Sequence, residues 1–568
     1  MTDPLPLGPE TLPEFFACLK GELKACAPDL EVRIPMRDGV ELAAGVYLPA
    51  DQKDAVPAIV QITPYDKSSA VWSREARWYA DHGYAAVVVD VRGILESGGD
   101  FHWFVHDGED GYDVVEWVAE QPWCNGSIGT TGISYMGWVQ WALAAERPPH
   151  LRCMISSAAA GRWMQDIPST WGILQSYFPM WLYGIQQQAN PRPATHHETV
   201  PELLSTWPLA GIGDKLGLEG PSWGDLSEHS SYDEFWKSLR FDGSYAAIDV
   251  PCLHVAGWFD LENLTGAMHH YEQMISASPA AADQTLLVGP WSHAGVRYPH
   301  STYDGTDFGP AGSVDMNELH LRWFDKWLRG DEDRWTLPST AVFDTGAREW
   351  KLGEGWTDAT APRSLHLADD GRLSEKPESV PGQSSYQFDP SVTPVPRFDF
   401  RAYPLTDYPF DETAVDQRDD VLTWTTEVLD TPLTLTGWSR LLLHASTDGT
   451  DTDWHVKLTD VDPDGRSVRV TSGCLRASCR TGLDNPEPVE PGVPTEYAVE
   501  LWPAQHTFRP GHRLRVQLAS SDFPWFTLSS NRFGPPMTTG DPRPCVNTVL
   551  YGGAHPSRIV LGTTRLEP

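Results

Sequence analysis

Apolar and polar residues alternate along this chain in two rhythms, and the order of those rhythms outlines a fold. Short apolar runs read as buried strands at 58–62 (AIVQI), 85–91 (AAVVVDV), 127–133 and 152–156, after two earlier strands from about Leu30. Between them, apolar residues recur with helical spacing over 73–82, 112–120 and 137–146. Such alternation predicts a mostly parallel sheet with helices on both faces. The rhythm breaks over about 161–244, a stretch rich in Trp, Pro and His with helical pieces such as 171–187 and no clear strand. It resumes with a strand at 251–256 (PCLHVA), a helix over 265–275, a strand at 285–288 (TLLV) and a helix over 317–329. A helical cap over the sheet's carboxyl edge is the simplest account, because open α/β sheets bind ligands there. Beyond Gly330, short β-rich runs at 439–445, 455–459 and 513–519 are separated by Pro, Gly and Asp clusters, which predicts a β-sandwich or jelly roll. The expected organisation is an α/β core over 1–160 and 246–335, a cap over 161–245 and the sandwich over 336–568.

Composition narrows the function classes. The formal charge is −36, from 78 acidic and 42 basic residues, which disfavours phosphate backbones and anionic membrane surfaces. No run approaches the ~20 apolar residues a membrane span needs, and the first residues lack the pattern of a secretory signal, so a cytoplasmic location is expected. The eight cysteines contain no CxxC pair and read as free thiols. Whether the chain assembles as a homo-oligomer is left open.

Candidate chemistry centres on the Gly132-Ile133-Ser134-Tyr135-Met136-Gly137 corner between a strand and a helix. A serine on such a turn projects its hydroxyl above the sheet end, with following N–H groups aimed at the same space. The match to G-x-S-x-G is imperfect, since its last position is Met136. A serine nucleophile needs a histidine to take its proton and a carboxylate to orient that histidine, usually in the chain order Ser, Asp or Glu, His. Asp260 ends LHVAGWFD and His293 ends LLVGPWSH, each just after an apolar strand and a Gly. Taken singly, Asp260 also reads as a helix N-cap and His293 as a loop histidine; three in order at three strand ends point to a triad.

Further motifs accompany these: Thr63-Pro64-Tyr65-Asp66-Lys67, Asp90-Val91-Arg92-Gly93, GWFD at 257–260, GPWSH at 289–293, STDGTDTDWHVKLTDVDPDG at 446–465 and GHRLRVQLASSDFP at 511–524. In this combination the chain resembles the cocaine esterase and X-Pro dipeptidyl-peptidase-like serine hydrolases, which include α-amino acid ester hydrolases and glutaryl acylases. The resemblance runs nearly the whole length and implies an α/β-hydrolase core, a helical cap and a C-terminal jelly roll. It further implies an oxyanion hole from the Tyr65 hydroxyl and the Tyr135 backbone N–H, a pairing suited to charge that appears only in the tetrahedral state. Asp90 and Arg92 read as a structural ion pair bracing a turn.

In the α-amino acid ester hydrolases, carboxylates just after the triad acid bind the substrate's ammonium. Here the segment is Asp260-Leu261-Glu262-Asn263, with a neutral residue at the last position and Asp166 as a loose third candidate. Glu262 equally reads as an acidic residue in a helix's first turn. Trp163 and Trp258, among 25 tryptophans, are candidates for an aromatic acyl pocket, as are Trp171 and Trp291. Asp460 to Gly465 mimics the opening of a calcium loop, but Thr471 stands where Glu is required, so a hairpin turn is expected. His196-His197-Glu198 lacks zinc-site spacing. Neither a metal nor a cofactor is expected. The sequence reading is a serine esterase or amidase for small acyl substrates. Its rivals are an acylase or X-Pro dipeptidyl-peptidase-like enzyme requiring a free amine, and a binding protein using the β-sandwich.

Overall fold

The computed structural model describes residues 5–189, 200–241, 243–356, 362–392 and 408–563. A ten-stranded sheet carries the site. Strands β1 (Leu30–Pro35), β2 (Glu41–Tyr47), β3 (Val56–Thr63), β4 (Ala85–Asp90), β5 (Cys124–Ile133) and β6 (Leu151–Ser157) lie in the order β1-β2-β4-β3-β5-β6. Cys252–Gly257, Gln284–Gly289, Thr340–Asp344 and Glu349–Gly353 then follow in chain order. From β4 to Thr340–Asp344 every neighbouring pair is parallel. Strand β4 shows why: all of AAVVVD is buried, as a strand covered on both faces requires. Helices α2 (Ala70–Asp81), α3 (Asp107–Ala119) and α4 (Tyr135–Ala145) connect these strands, as does helix Leu264–Ala277 further on. The N-terminal helix α1 (Leu12–Leu19) was not anticipated from the pattern. Parallel strands put their carboxyl ends on one edge, so residues just after Thr63, Ile133, Gly257 and Gly289 gather there.

The sheet also runs past the expected boundary at 335. Thr340–Asp344 (TAVFD) is wholly buried, and its Asp344 carboxylate accepts bonds from Gln505 and Thr507, so the strand joins the α/β sheet to the β-rich region.

In the cap, the helix expected over 171–187 begins later, as α5 (Tyr177–Ala189). A two-stranded pair, Ser169–Thr170 with Ile173–Leu174, precedes it where no strand was expected. Its turn uses left-handed backbone at Trp171 (φ 47°) and Gly172 (φ 87°). A Cβ at Gly172 would stand 2.6 Å from Cys479 Sγ, so glycine lets this turn pack on the C-terminal region.

The C-terminal region is an eleven-stranded, largely antiparallel array. Its longest strand, Leu433–Thr447, pairs with Thr495–Phe508, Cys545–Tyr551 and Arg558–Thr563, and its register shifts between Gly437 and Ser439. Such a bulge bends a strand so that it can serve more than one layer. The calcium-loop mimic is a hairpin: Asp462 Oδ1 accepts from the Asp464 and Arg466 N–H groups between paired strands. The eight cysteines are free thiols. Among the described residues no helix is long and apolar enough to cross a membrane.

Candidate active site

Ser134 sits between β5 and α4 with φ 63° and ψ −123°, a left-handed backbone that costs about 1–3 kcal/mol and needs its surroundings to enforce it. The surroundings are visible. Ser134 N–H donates to the Ser157 carbonyl (3.0 Å), and its own carbonyl accepts from Trp138 N–H (3.0 Å). A Cβ at Gly132 would meet Met136 Cβ at 2.4 Å, and one at Gly137 would meet the Ser157 carbonyl at 2.6 Å. The second glycine therefore serves close packing of α4 on β6, which explains its place one position beyond G-x-S-x-G.

Ser134, Tyr65, Tyr135, Glu262, Asn263 and His293 line one cavity of about 610 Å³, in the range of small-molecule sites. His293 Nδ1 lies 3.1 Å from each Asp260 oxygen. Asp260 is fully buried, and its Oδ1 also accepts the N–H groups of Glu262 (3.0 Å) and Asn263 (3.2 Å). The helix begins only at Leu264, so Asp260 caps a turn before it while facing the imidazole.

Glu262 likewise precedes the helix. Its Oε2 lies 3.6 Å from His293 Nε2, while its Oε1 and the Asn263 Oδ1 are buried without a hydrogen-bond partner. Burial pushes the Glu262 carboxyl up to about 7 against the pull of His293. For His293, burial pushes the other way, but the Glu262 and Asp260 carboxylates outweigh it and hold the imidazole up at about 9.

Tyr65 lines the cavity beside Ser134 and Tyr135, near enough for both to act on its hydroxyl. Burial pushes it up to about 12, so it stays a neutral donor. Trp181 Nε1 on α5 donates to the Tyr65 oxygen at 3.3 Å, leaving the phenolic hydrogen for another acceptor. The Tyr135 hydroxyl donates to buried Asp107 (2.6 Å) and accepts from Phe104 N–H (3.0 Å), which pins the turn after Ser134. Trp181, Asp107 and Phe104 escaped the sequence reading; no local motif marks them.

The expected tryptophans lie elsewhere. Trp163 is buried behind Phe104 (4.5 Å between rings) and donates to the Leu239 carbonyl. Trp258 donates to the Phe343 carbonyl at 2.7 Å and packs on Trp356, and Trp291 donates to Gly312. None of these three lines the cavity, whose aromatic wall includes Tyr65, Trp72, Phe104, Tyr135, Tyr177, Phe178 and Trp181, with Phe15 at one side. Their indoles were drawn inward because a buried N–H must find an acceptor, and backbone carbonyls supply it. Asp166 is paired with Arg162 at 2.8 Å and does not reach the cavity. Asp90 and Arg92 are ion-paired, though not with each other: Lys67 takes Asp90 (3.4 Å), and Asp110 and Asp38 take Arg92 (2.6 and 2.7 Å). Among the described residues no cluster of His, Cys, Asp and Glu could hold a metal; His196-His197-Glu198 lies outside them.

Comparison with known proteins follows the same lines. Residues 38–295 match the X-Pro dipeptidyl-peptidase (S15 family) model, and residues 325–560 match the X-Pro dipeptidyl-peptidase C-terminal non-catalytic domain. The cocaine esterase of Rhodococcus sp. (strain MB1 Bresler) is 31% identical over 93% of this chain and 97% of its own length. A solved α-amino acid ester hydrolase superposes with a TM-score of 0.86 at 27% identity, covering 96% of this chain and 98% of the other. An aminopeptidase from a marine sediment archaeon (Thaumarchaeota archaeon) superposes equally well, 0.86 at 25% identity, covering 95% and 98%. By sequence and by fold, the chain belongs to the cocaine esterase and X-Pro dipeptidyl-peptidase (S15) family, with an α/β-hydrolase core and a C-terminal β-rich domain.

Proposed function

We propose that this protein is a serine hydrolase that cleaves carboxylic esters through an acyl-enzyme, with Ser134 as nucleophile, His293 as general base and Asp260 as its orienting carboxylate. The observation that supports the reading is the shared cavity, lined by a serine in strained backbone, a histidine backed by a buried aspartate, and Tyr65 and Tyr135. Ser134 Oγ attacks the carbonyl carbon as its proton passes to His293 Nε2. Negative charge develops on the carbonyl oxygen, where the Tyr65 hydroxyl and the Tyr135 N–H stabilise it. His293 then protonates the leaving alcohol, and water repeats the sequence in reverse to free the acid. The Ser134→Ala variant is expected to lose about 10⁴-fold or more in kcat/KM on p-nitrophenyl acetate while keeping its melting temperature. Retention of a tenth of the rate would overturn the nucleophile.

A second reading concerns a free amine. Glu262 and Asn263 present unpartnered oxygens inside the cavity wall, and an ammonium is the group that best satisfies both. The names of two structural relatives, an α-amino acid ester hydrolase and an aminopeptidase, point the same way. Comparing an α-amino ester with its desamino analogue decides it: a preference for the amine that Glu262→Gln removes supports recognition, and equal kcat/KM for both discards it.

A further inference from the structure

Helix α1 (Leu12–Leu19, LPEFFACL) is eight residues long and buries none of them completely. A helix so short does not persist in water unaided, so its tethers matter. Three lead to the loop that follows His293. The Phe15 ring stacks on Tyr298 at 4.6 Å, Thr11 N–H donates to the Pro299 carbonyl at 3.3 Å, and Ser301 N–H donates to the Glu10 carboxylate at 2.9 Å. A fourth, the Glu14–Arg74 ion pair at 2.8 Å, ties α1 to α2.

What the tethers hold in place is a stripe. Phe15, Cys18 and Leu19 stand three and four positions apart, the spacing of one helical face, and all three line the cavity shared by Ser134 and His293. Phe15 and Cys18 are half-buried against the core and Leu19 is 48% exposed, so the face still presents apolar surface to the cavity.

Chemistry decides which half of an ester meets that face. In acylation the bond from Ser134 Oγ to the acyl carbon forms and the bond from that carbon to the alcohol oxygen breaks. The proton taken from Ser134 travels through His293 to the departing oxygen, which leaves as a neutral alcohol. The alcohol half must therefore lie on the histidine side of the scissile bond, and α1 is fastened to the histidine's own loop. We propose that Phe15, Cys18 and Leu19 form the leaving-group subsite and that it selects esters of large apolar alcohols. This rests on the assignment of Ser134 and His293 made above.

The test compares two ester series by pH-stat titration of acid release. One fixes the acyl group and enlarges the alcohol, methyl acetate against hexyl acetate. The other fixes the alcohol and enlarges the acyl group, methyl acetate against methyl hexanoate. In both Phe15→Ala and Leu19→Asp, the hexyl-to-methyl acetate ratio of kcat/KM is expected to fall about tenfold, the scale of losing one large apolar contact. The hexanoate-to-acetate ratio stays within about twofold. Ratios do not depend on the fraction of active enzyme, so partial misfolding cannot mimic the result. An unchanged alcohol ratio, or an equal fall in the acyl ratio, overturns the subsite. Failure of a fluorophosphonate to label Ser134 would instead strike the nucleophile, and the two failures are read separately.

Discussion

Tyr65 is the residue on which the oxyanion account can be weighed by itself. Its hydroxyl is neutral and held by Trp181, so Tyr65→Phe removes one donor together with the Trp181 hydrogen bond. The variant is expected to lose roughly 10²–10³-fold in kcat with KM nearly unchanged, measured by steady-state kinetics. Glu262 makes a second prediction, in pH. An ionised carboxylate 3.6 Å from His293 Nε2 favours the imidazolium, whereas the general base must be neutral. Activity on an uncharged ester should therefore rise through a limb displaced above the ordinary histidine range, toward about 9. Glu262→Gln removes that charge, His293 loses its proton more readily, and the limb in kcat/KM moves to lower pH. A limb unmoved by the substitution would remove Glu262 from the electrostatics of the base.

Among the elements, the β5–Ser134–α4 corner concentrates the constraint. A methyl at position 137 would press on the Ser157 carbonyl and on Ala159, both backbone-fixed. Gly137→Ala is thus expected to destabilise the fold by about 1–3 kcal/mol in urea titrations. This corner was legible because strand, serine, glycine and helix are contiguous in the chain. The same holds for Asp260 and His293, which stand a few residues past strands that the apolar runs mark clearly. Other parts were not legible, for physical reasons. Trp181 meets Tyr65 across 116 residues of sequence, and one indole among 25 carries no local label. Trp163 and Trp258 were expected at the cavity on residue type alone, and packing took their indoles to backbone carbonyls instead. Helix α1 is too short for periodicity to declare itself, and the stretch from Trp171 reads as helical although Trp171 and Gly172 both turn left-handed.

At the scale of the whole molecule, the β-rich region braces the wall of the candidate cavity. Just before α5, Ser176 N–H donates to the Trp525 carbonyl (2.8 Å), and Thr527 N–H donates to the Leu174 carbonyl (3.0 Å). Tyr177, Phe178 and Trp181, which line the cavity, follow directly. Asp344 is the other clasp, accepting from Gly346, Ala347, Gln505 and both Thr507 donors. Burial alone would push its carboxyl up, but the Ala347 N–H, the Thr507 hydroxyl and the Gln505 amide outweigh it and hold it below its usual range. A carboxyl lowered on folding contributes stability above its unfolded value, and that contribution is lost as pH falls through the folded one. Asp344→Ala should therefore cost roughly 2–4 kcal/mol at pH 7 by urea denaturation, since several donors lose their acceptor. The gap from wild type should narrow in acid.

The central claim is that Ser134 is made reactive by His293 in a shared cavity, and active-site labelling tests it most directly. Wild-type protein, Ser134→Ala and His293→Ala are each exposed to a fluorophosphonate, and the modified peptide is located by mass spectrometry. The account predicts one adduct per chain, on Ser134, absent from the alanine variant and formed far more slowly without the imidazole. Labelling that persists in Ser134→Ala, or that proceeds at full rate in His293→Ala, would contradict it.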